Sequence, residues 1–235
     1  YGIPQIVVDY MYLNEQDDEG KRKATIEGEG LPVVILYDSK NSKAIHAYAV
    51  PNKGECEYAI RKTAQCINKQ LGYRKFIYKG DQEPALQLLM DRSGMLCGEQ
   101  VIREASPVGE SQSNGAVETM VKQVQGQYRT IKSNLETEYK GKIDSNHPAL
   151  VWMVMQAAGT ITRYRVGKDG KTAYQRLKGK TFKKDVVKFG ECVWYLRPQT
   201  KGKHKAEYRW DAGVWVGIRD ESGEHLIMTE KGTIK

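Results

Sequence analysis

A chain of 235 residues holds one large domain or a medium domain with a small partner, and 28% charged with 40% hydrophobic residues fits a folded globular protein, not extended disorder. The longest apolar run, Ala149 to Met155 with Ala157, Ala158 and Ile161 beyond it, is far below the roughly 20 residues that cross a bilayer, which excludes a membrane span and leaves no membrane partner. The net charge of +8 is concentrated: Lys178 to Arg209 holds ten Lys or Arg against Asp185, Glu191 and Glu207, a balance that suits a polyanion.

The first residues show no charged leader followed by an apolar stretch, so no secretory signal is expected, and Tyr1 points to a fragment or processed product. Cysteines 56, 66, 97 and 192 form no CxxC pair, and His46, His147, His204 and His225 are scattered. That is the pattern of reduced, mostly buried thiols in an intracellular protein, without zinc-ligand spacing.

In chain order, the β-branched and aromatic run Gln5 to Leu13 predicts a first strand, followed by a polar turn in which Asp17, Asp18 and Glu19 read as solvated. Pro32 to Tyr37 and Lys43 to Val50 predict two more strands around the turn-forming 38–42, giving an antiparallel meander. The three-to-four apolar spacing of Glu55 to Leu71 predicts a helix closed by Gly72. A fourth strand, Tyr73 to Tyr78, leads into Gly80-Asp81; a second helix spans Pro84 to Arg92, stopped by Gly94, and Gln100 to Glu104 is a fifth strand.

A long helix follows from about Ser113 to Tyr139, with Val117, Met120, Val121, Val124, Tyr128, Ile131 and Leu135 on one face and Glu118, Lys122, Gln125, Arg129 and Lys132 in one polar stripe. The next helix, Pro148 to Tyr164, is apolar nearly all round at its start and is expected against the sheet. Beyond Gly167 to Gly170, one short helical turn is expected at Thr172 to Leu177, and runs at Val186 to Phe189, Val193 to Leu196, Gly213 to Ile218 and His225 to Thr229 read as a small all-β unit. The order predicts an α/β mixed sheet flanked by helices with a barrel-like appendix. Boundaries are expected at 1–166, 167–184 (a basic linker) and 185–235.

Asp9 in the first strand, Asp81 after the fourth and Glu118 early in the long helix converge if the first and fourth strands are neighbours. Clustered carboxylates repel, and a hard divalent cation relieves the repulsion while keeping waters for a phosphate substrate. His46 on a strand reads as a packing histidine, and Trp152, Met153 and Met155 as core.

Ile6-Val7-Val8-Asp9-Tyr10, Tyr78-Lys79-Gly80-Asp81 and Ser111-Gln112-Ser113-Asn114-Gly115-Ala116-Val117-Glu118 together resemble the DDE integrase core of retroviruses and long-terminal-repeat retrotransposons. The third motif is the most specific, and the gap from Asp81 to Glu118 is one residue longer than is typical of the family. Gln82-Glu83 departs from the small residue and Gly that commonly follow the second Asp. Arg163-Tyr164 and the segment Asp169 to Lys180 look like the post-core region of copia-type polyproteins. The resemblance implies an RNase H-like core of five mixed strands, an SH3-like C-terminal DNA-binding domain, and two Mg²⁺ (or Mn²⁺) ions on Asp9, Asp81 and Glu118.

It also implies 3′-end processing and strand transfer on double-stranded DNA (element ends and target), a homo-oligomer, and action on nuclear DNA. Lys122 matches the family's DNA-contacting position, with Gln125, Arg129 and Lys132 continuing the phosphate track. Lys178, Lys180, Lys183, Lys184, Lys201, Lys203, Lys205 and Arg209 form the basic block. The alternatives are a DNA-binding protein decayed or domesticated from such an element, and an RNase H-like nuclease.

Overall fold

The computed structural model describes residues 2–13, 30–98, 100–105, 111–196 and 208–235, with side chains for all of these except 105 and 111–114. The acidic cluster at 17–19 and the cations Lys201, Lys203 and Lys205 lie outside the described residues. No helix among the described residues is long and apolar enough to cross a membrane.

Strands β1 (Gln5–Leu13), β2 (Leu31–Asp38), β3 (Ile45–Ala49), β4 (Lys75–Gly80) and β5 (Gln100–Ala105) form one sheet in the order β3-β2-β1-β4-β5. The first three make the expected antiparallel meander, whereas β4 and β5 join parallel to β1. Side chains alternate across a strand, and β1 uses both sides. Ile6, Val8 and Tyr10 enter one core layer, and Val7 and Met11 enter the other. Each fully buried aliphatic side chain contributes roughly 1.5–3 kcal/mol, so a central strand apolar on both faces is the anchor of both layers.

Helices α1 (Glu57–Gln65) and α2 (Pro84–Cys97) cover the first face; α3 (Ser111–Tyr139) and α4 (Ala149–Tyr164) cover the second. This mixed five-stranded sheet flanked by helices is RNase H-like. Two helices depart from expectation. The last turns of the first widen into a π-helical segment, Cys66–Leu71, closed by Gly72 in the left-handed region. The second runs through Gly94 to Cys97, with Gly94 buried inside the helix and not ending it.

A short α5 (Ala173–Lys178) is started by a capping box, in which the Thr172 hydroxyl accepts from the Gln175 N–H while the Gln175 side chain accepts from the Thr172 N–H. Then come β6 (Cys192–Leu196), β7 (Trp210–Ile218), β8 (His225–Thr229) and β9 (Gly232–Ile234), an antiparallel sheet in sequence order that fits an SH3-like unit. The expected strand at Val186 to Phe189 is irregular. Its apolar side chains serve as a plug instead, with Phe189 buried and Val187 packed on the second core layer. Gly190 follows at φ +88°, its N–H donating to the Trp215 carbonyl at 2.9 Å. A Cβ there would meet Leu135 of α3 at 2.3 Å, so only glycine permits this close docking.

The turn between β7 and β8 grips the core electrostatically. Arg163 of α4, 5% exposed, donates to the Asp220 carboxylate at 2.6 Å and to the Ile218 carbonyl at 3.3 Å, and His46 of β3 lies 3.6 Å from the same carboxylate. Glu221 accepts from Gln65 at 2.9 Å and Gln70 at 3.1 Å, with Lys62 at 3.9 Å. Burial pushes the Asp220 carboxyl up, but His46 and Arg163 outweigh it and bring the pKa down to about 2. Burial presses His46 toward its neutral form, and contacts with Cys66 and Asp220 reverse this and raise it to about 10.

A carboxylate with a lowered pKa stabilises the fold above its unfolded value near 3.9, and that contribution is lost as pH falls through its folded pKa. A raised histidine contributes fully below about 6.5 and loses its contribution as pH rises through its folded pKa. Asp220→Ala leaves Arg163 buried without its partner, so a loss of about 1–3 kcal/mol is expected, given that Asp220 itself is 36% exposed. Urea unfolding at several pH values tests this: the deficit should be largest between about pH 4 and 6.5 and shrink toward pH 2.

Candidate active site

The parallel register pairs Val7 with Lys79 and Val8 with Gly80. Asp9 and Asp81 are the next positions on two neighbouring strands, and strands in a sheet lie about 4.8 Å apart. Parity sets their direction. Ile6 and Val8 of β1, like Phe76 and Tyr78 of β4, belong to the layer under α1 and α2, so Asp9 and Asp81 emerge on the opposite face, with Val7 and Met11. Gly80 has no side chain to spare: a Cβ there would come within 2.6 Å of the Met90 sulfur, so α2 packs tightly beneath the strand end that carries Asp81.

Helix α3 lies across the face that carries Asp9. Val117, Met120 and Val124 are buried in the layer that holds Val7 and Met11, which leaves Glu118, adjacent to Val117, exposed at the helix start. On the same face beyond Asp81, the described surface of β4 and β5 is open, with Ile102 45% exposed and Lys79 paired with Glu104 at 3.3 Å. Asp81 thus follows the carboxyl end of β4 and Asp9 lies midway along β1, where its parallel pairing with β4 ends, beside an uncovered stretch of sheet. Among the described residues, no group of three or more His, Cys, Asp or Glu is gathered closely enough to hold a metal ion. Asp9 and Asp81 are neighbours; Glu118 stands apart from them.

Asp9 carries the strain of this arrangement. Burial raises its pKa, the Tyr10 N–H at 2.7 Å lowers it, and the nearby Asp81 and Glu83 carboxylates add to the rise, so that it stands at about 6. Glu83 precedes the first residue of α2 and binds Lys53 at 2.8 Å, whose ammonium lies over the rings of Tyr10 and Tyr12 at 5.2 and 4.8 Å. Sequence reasoning missed Lys53 and Glu83. The Gln82-Glu83 departure from the family pattern was the signal: the extra carboxylate brings its own cation. Even so, negative charge at the Asp9 end exceeds its compensation, and hard oxygen donors with uncompensated charge fit a divalent cation.

Among the other predicted residues, Glu118, Lys122 and Arg129 are exposed on α3, and Gln125 and Lys132 are half-buried, with Lys132 3.8 Å from Glu136. The stripe is formed as expected and opens away from the apolar face. The second basic group has different surroundings: Lys178 reaches the Gln70 carbonyl at 3.5 Å, Lys184 donates to the Gly223 carbonyl at 2.7 Å, and Lys180, Lys183 and Arg209 are exposed. His46 is a packing histidine in position, and an ion-pair partner in role.

No protein-family model and no curated protein matches the chain. Among the solved structures similar to it are two at 14% sequence identity each. The catalytic core domain of BIV integrase covers 76% of this chain and 95% of its own, with a TM-score of 0.45. The simian T-cell lymphotropic virus intasome in complex with PP2A regulatory subunit B56 gamma covers 98% of this chain and 75% of its own, with a TM-score of 0.49.

The raised pKa at Asp9 makes a stability prediction. A carboxyl whose folded pKa exceeds its unfolded value favours the fold when protonated, and that advantage is lost as pH rises through about 6. Asp9→Asn keeps an oxygen for the Tyr10 N–H and removes the charge. In EDTA at pH 7.5 the variant is expected to be more stable than wild type, by on the order of 1–2 kcal/mol, with the two converging near pH 4. Thermal melts at the two pH values check it; equal stability at pH 7.5 would contradict the burial assigned to Asp9.

Proposed function

We propose that this chain is the catalytic portion of a DNA-integrating recombinase of the long-terminal-repeat retrotransposon type, which trims the 3′ ends of element DNA and joins them to target DNA. The observation that carries the reading is the β1–β4 register, which sets Asp9 beside Asp81 on the face crossed by the helix that opens with the Ser-Gln-Ser-Asn-Gly-Ala-Val-Glu motif. Asp9, Asp81 and Glu118 are the residues that would hold divalent ions, Mg²⁺ or Mn²⁺. Such ions, when bound, activate an attacking oxygen and stabilise a leaving one.

The chain's own residues do the rest. Asp9 and Asp81, fixed by a rigid strand pair, define where a scissile phosphate would sit. Lys122, Gln125, Arg129 and Lys132 line one side of α3, spaced to follow a phosphate backbone without reading bases. Lys178, Lys180, Lys183, Lys184 and Arg209, with Lys201, Lys203 and Lys205 in the sequence, extend the positive surface for a second stretch of duplex. Joining two ends requires more than one copy, so a homo-oligomer belongs to this reading.

The second reading, a DNA-binding protein without catalysis, is favoured by one observation: Glu118 is not gathered with the two aspartates. One experiment separates the two. Oligonucleotide strand transfer with Mn²⁺ should fall at least a hundredfold in Asp81→Asn and in Glu118→Gln, while duplex binding in EDTA stays within about twofold of wild type. Unchanged activity in either variant removes that carboxylate from the site, and no activity in an intact, DNA-binding wild type supports the second reading.

A further inference from the structure

The parallel ladder that aligns β1 with β4 ends one residue short of the candidate site. Its last pair is Val8 with Gly80, so Asp81 follows the end of β4, exposed, in the connection that leads into α2. There its carboxylate accepts from the Gln82 N–H at 2.6 Å and its carbonyl accepts from the Gln87 side chain, while Glu83 stands just ahead of the first helical residue. A tie from this connection back to β1 runs through Lys53. The Lys53 ammonium binds the Glu83 carboxylate at 2.8 Å and lies 5.2 Å from the ring centre of Tyr10 and 4.8 Å from that of Tyr12. The Lys53 loop is fastened to the same strand, since the N–H of buried Gly54 donates to the Tyr10 hydroxyl at 3.3 Å.

We propose that Lys53 and Glu83 are positioning residues, a brace that holds Asp81 beside Asp9 at the spacing a divalent ion needs. One end of the brace rests on Tyr10, the residue after Asp9; the other is Glu83, two residues after Asp81. Magnesium takes oxygen ligands at about 2.0–2.1 Å and tolerates little departure from ideal geometry, so an exposed carboxylate one residue beyond a ladder gains from a partner that fixes its backbone. A cation held between a carboxylate and two ring faces is fixed in direction as well as distance. Charge alone does not account for the arrangement. By the parity of β1, Tyr10 and Tyr12 stand on the opposite side of the sheet from Asp9, and Lys53 stands with them. Its pull on the Asp9 carboxyl is weaker than the push of Asp81 and of Glu83. The inference rests on the reading of Asp9 and Asp81 as residues that hold ions, and it names what keeps them aligned.

The test uses the whole chain, metal-free and then titrated with Mn²⁺ by calorimetry, as wild type, Lys53→Met, Glu83→Gln, the double variant, Lys53→Arg and Asp9→Asn. Either single change at the brace breaks it, so each is expected to bind Mn²⁺ about tenfold more weakly, with the double variant no weaker than the singles and Lys53→Arg near wild type. In the metal-free protein, the Gln82 and Gly54 amides, followed by NMR, are expected to exchange with solvent about fivefold faster in both single variants. The pair is partly exposed, at 24% for Lys53 and 38% for Glu83, so melting curves should stay close to wild type. Tighter Mn²⁺ binding by Lys53→Met with weaker binding by Glu83→Gln would overturn the proposal, because that is the signature of charge without positioning. So would losses that add in the double variant, or unchanged exchange at Gln82. Failure of the ion-holding reading looks different: Asp9→Asn would then bind Mn²⁺ like wild type, and the exchange rates would still decide whether the brace exists.

Discussion

The parallel pairing of β1 with β4 is the constraint on which the rest of this molecule hangs. Because side chains alternate with a period of two, a slip of one residue would turn every side chain of β4 to the other face. Tyr78 would leave its buried layer, and Asp81 would point under α2 instead of toward α3. The register is held by burial on both sides: Phe76 and Tyr78 fill the layer that Ile6 and Val8 enter, and Val7 packs into the other. The cost of exposing such side chains, roughly 1.5–3 kcal/mol each, is therefore also what keeps two carboxylates side by side against their mutual repulsion.

That repulsion places stability and site chemistry in opposition. A carboxyl raised to about 6 by burial and by neighbouring acids opposes the fold whenever it is ionised, and strain of this kind is typical of residues kept for chemistry. Lys53 moderates it, held by Glu83 and by two tyrosine faces near the end of β1. A charge-neutral pair set beside a charge-rich one leaves the excess negative charge around Asp9 in place.

Much of this was legible from the sequence because period and punctuation are local properties. The meander, the fourth strand running into Gly80-Asp81, and the long amphipathic helix follow from apolar spacing and turn residues. What was not legible depends on contacts between distant segments. Gly94 reads as a stop, yet it is buried within α2, which runs on to Cys97. Val186 to Phe189 has strand composition, yet it plugs the core ahead of the Gly190 turn. His46 gives no local sign of its partner, since Asp220 lies far along the chain. Of the candidate site, the strand placement of Asp9 and Asp81 was readable. The position of Glu118 relative to them was not, because it depends on how far α3 slides along its own apolar face.

That last point narrows what α3 can do. Its buried residues, Val117, Met120, Val124, Tyr128 and Leu135, are fixed at one end by Val7 and Met11 and at the other by Gly190, against which Leu135 rests. Tyr139 adds a hydrogen bond to the Gly190 carbonyl at 2.7 Å, and Glu138 an ion pair with Lys188 at 2.6 Å. Rotation about the helix axis would expose that whole face, so the polar stripe keeps its orientation. Glu118 directly follows the buried Val117, so its backbone is held with that face and is not carried toward the aspartates by the turn ahead of Val117. The helix, clamped near its end by Gly190 and Lys188, therefore acts as a fixed rail that sets where its polar stripe lies.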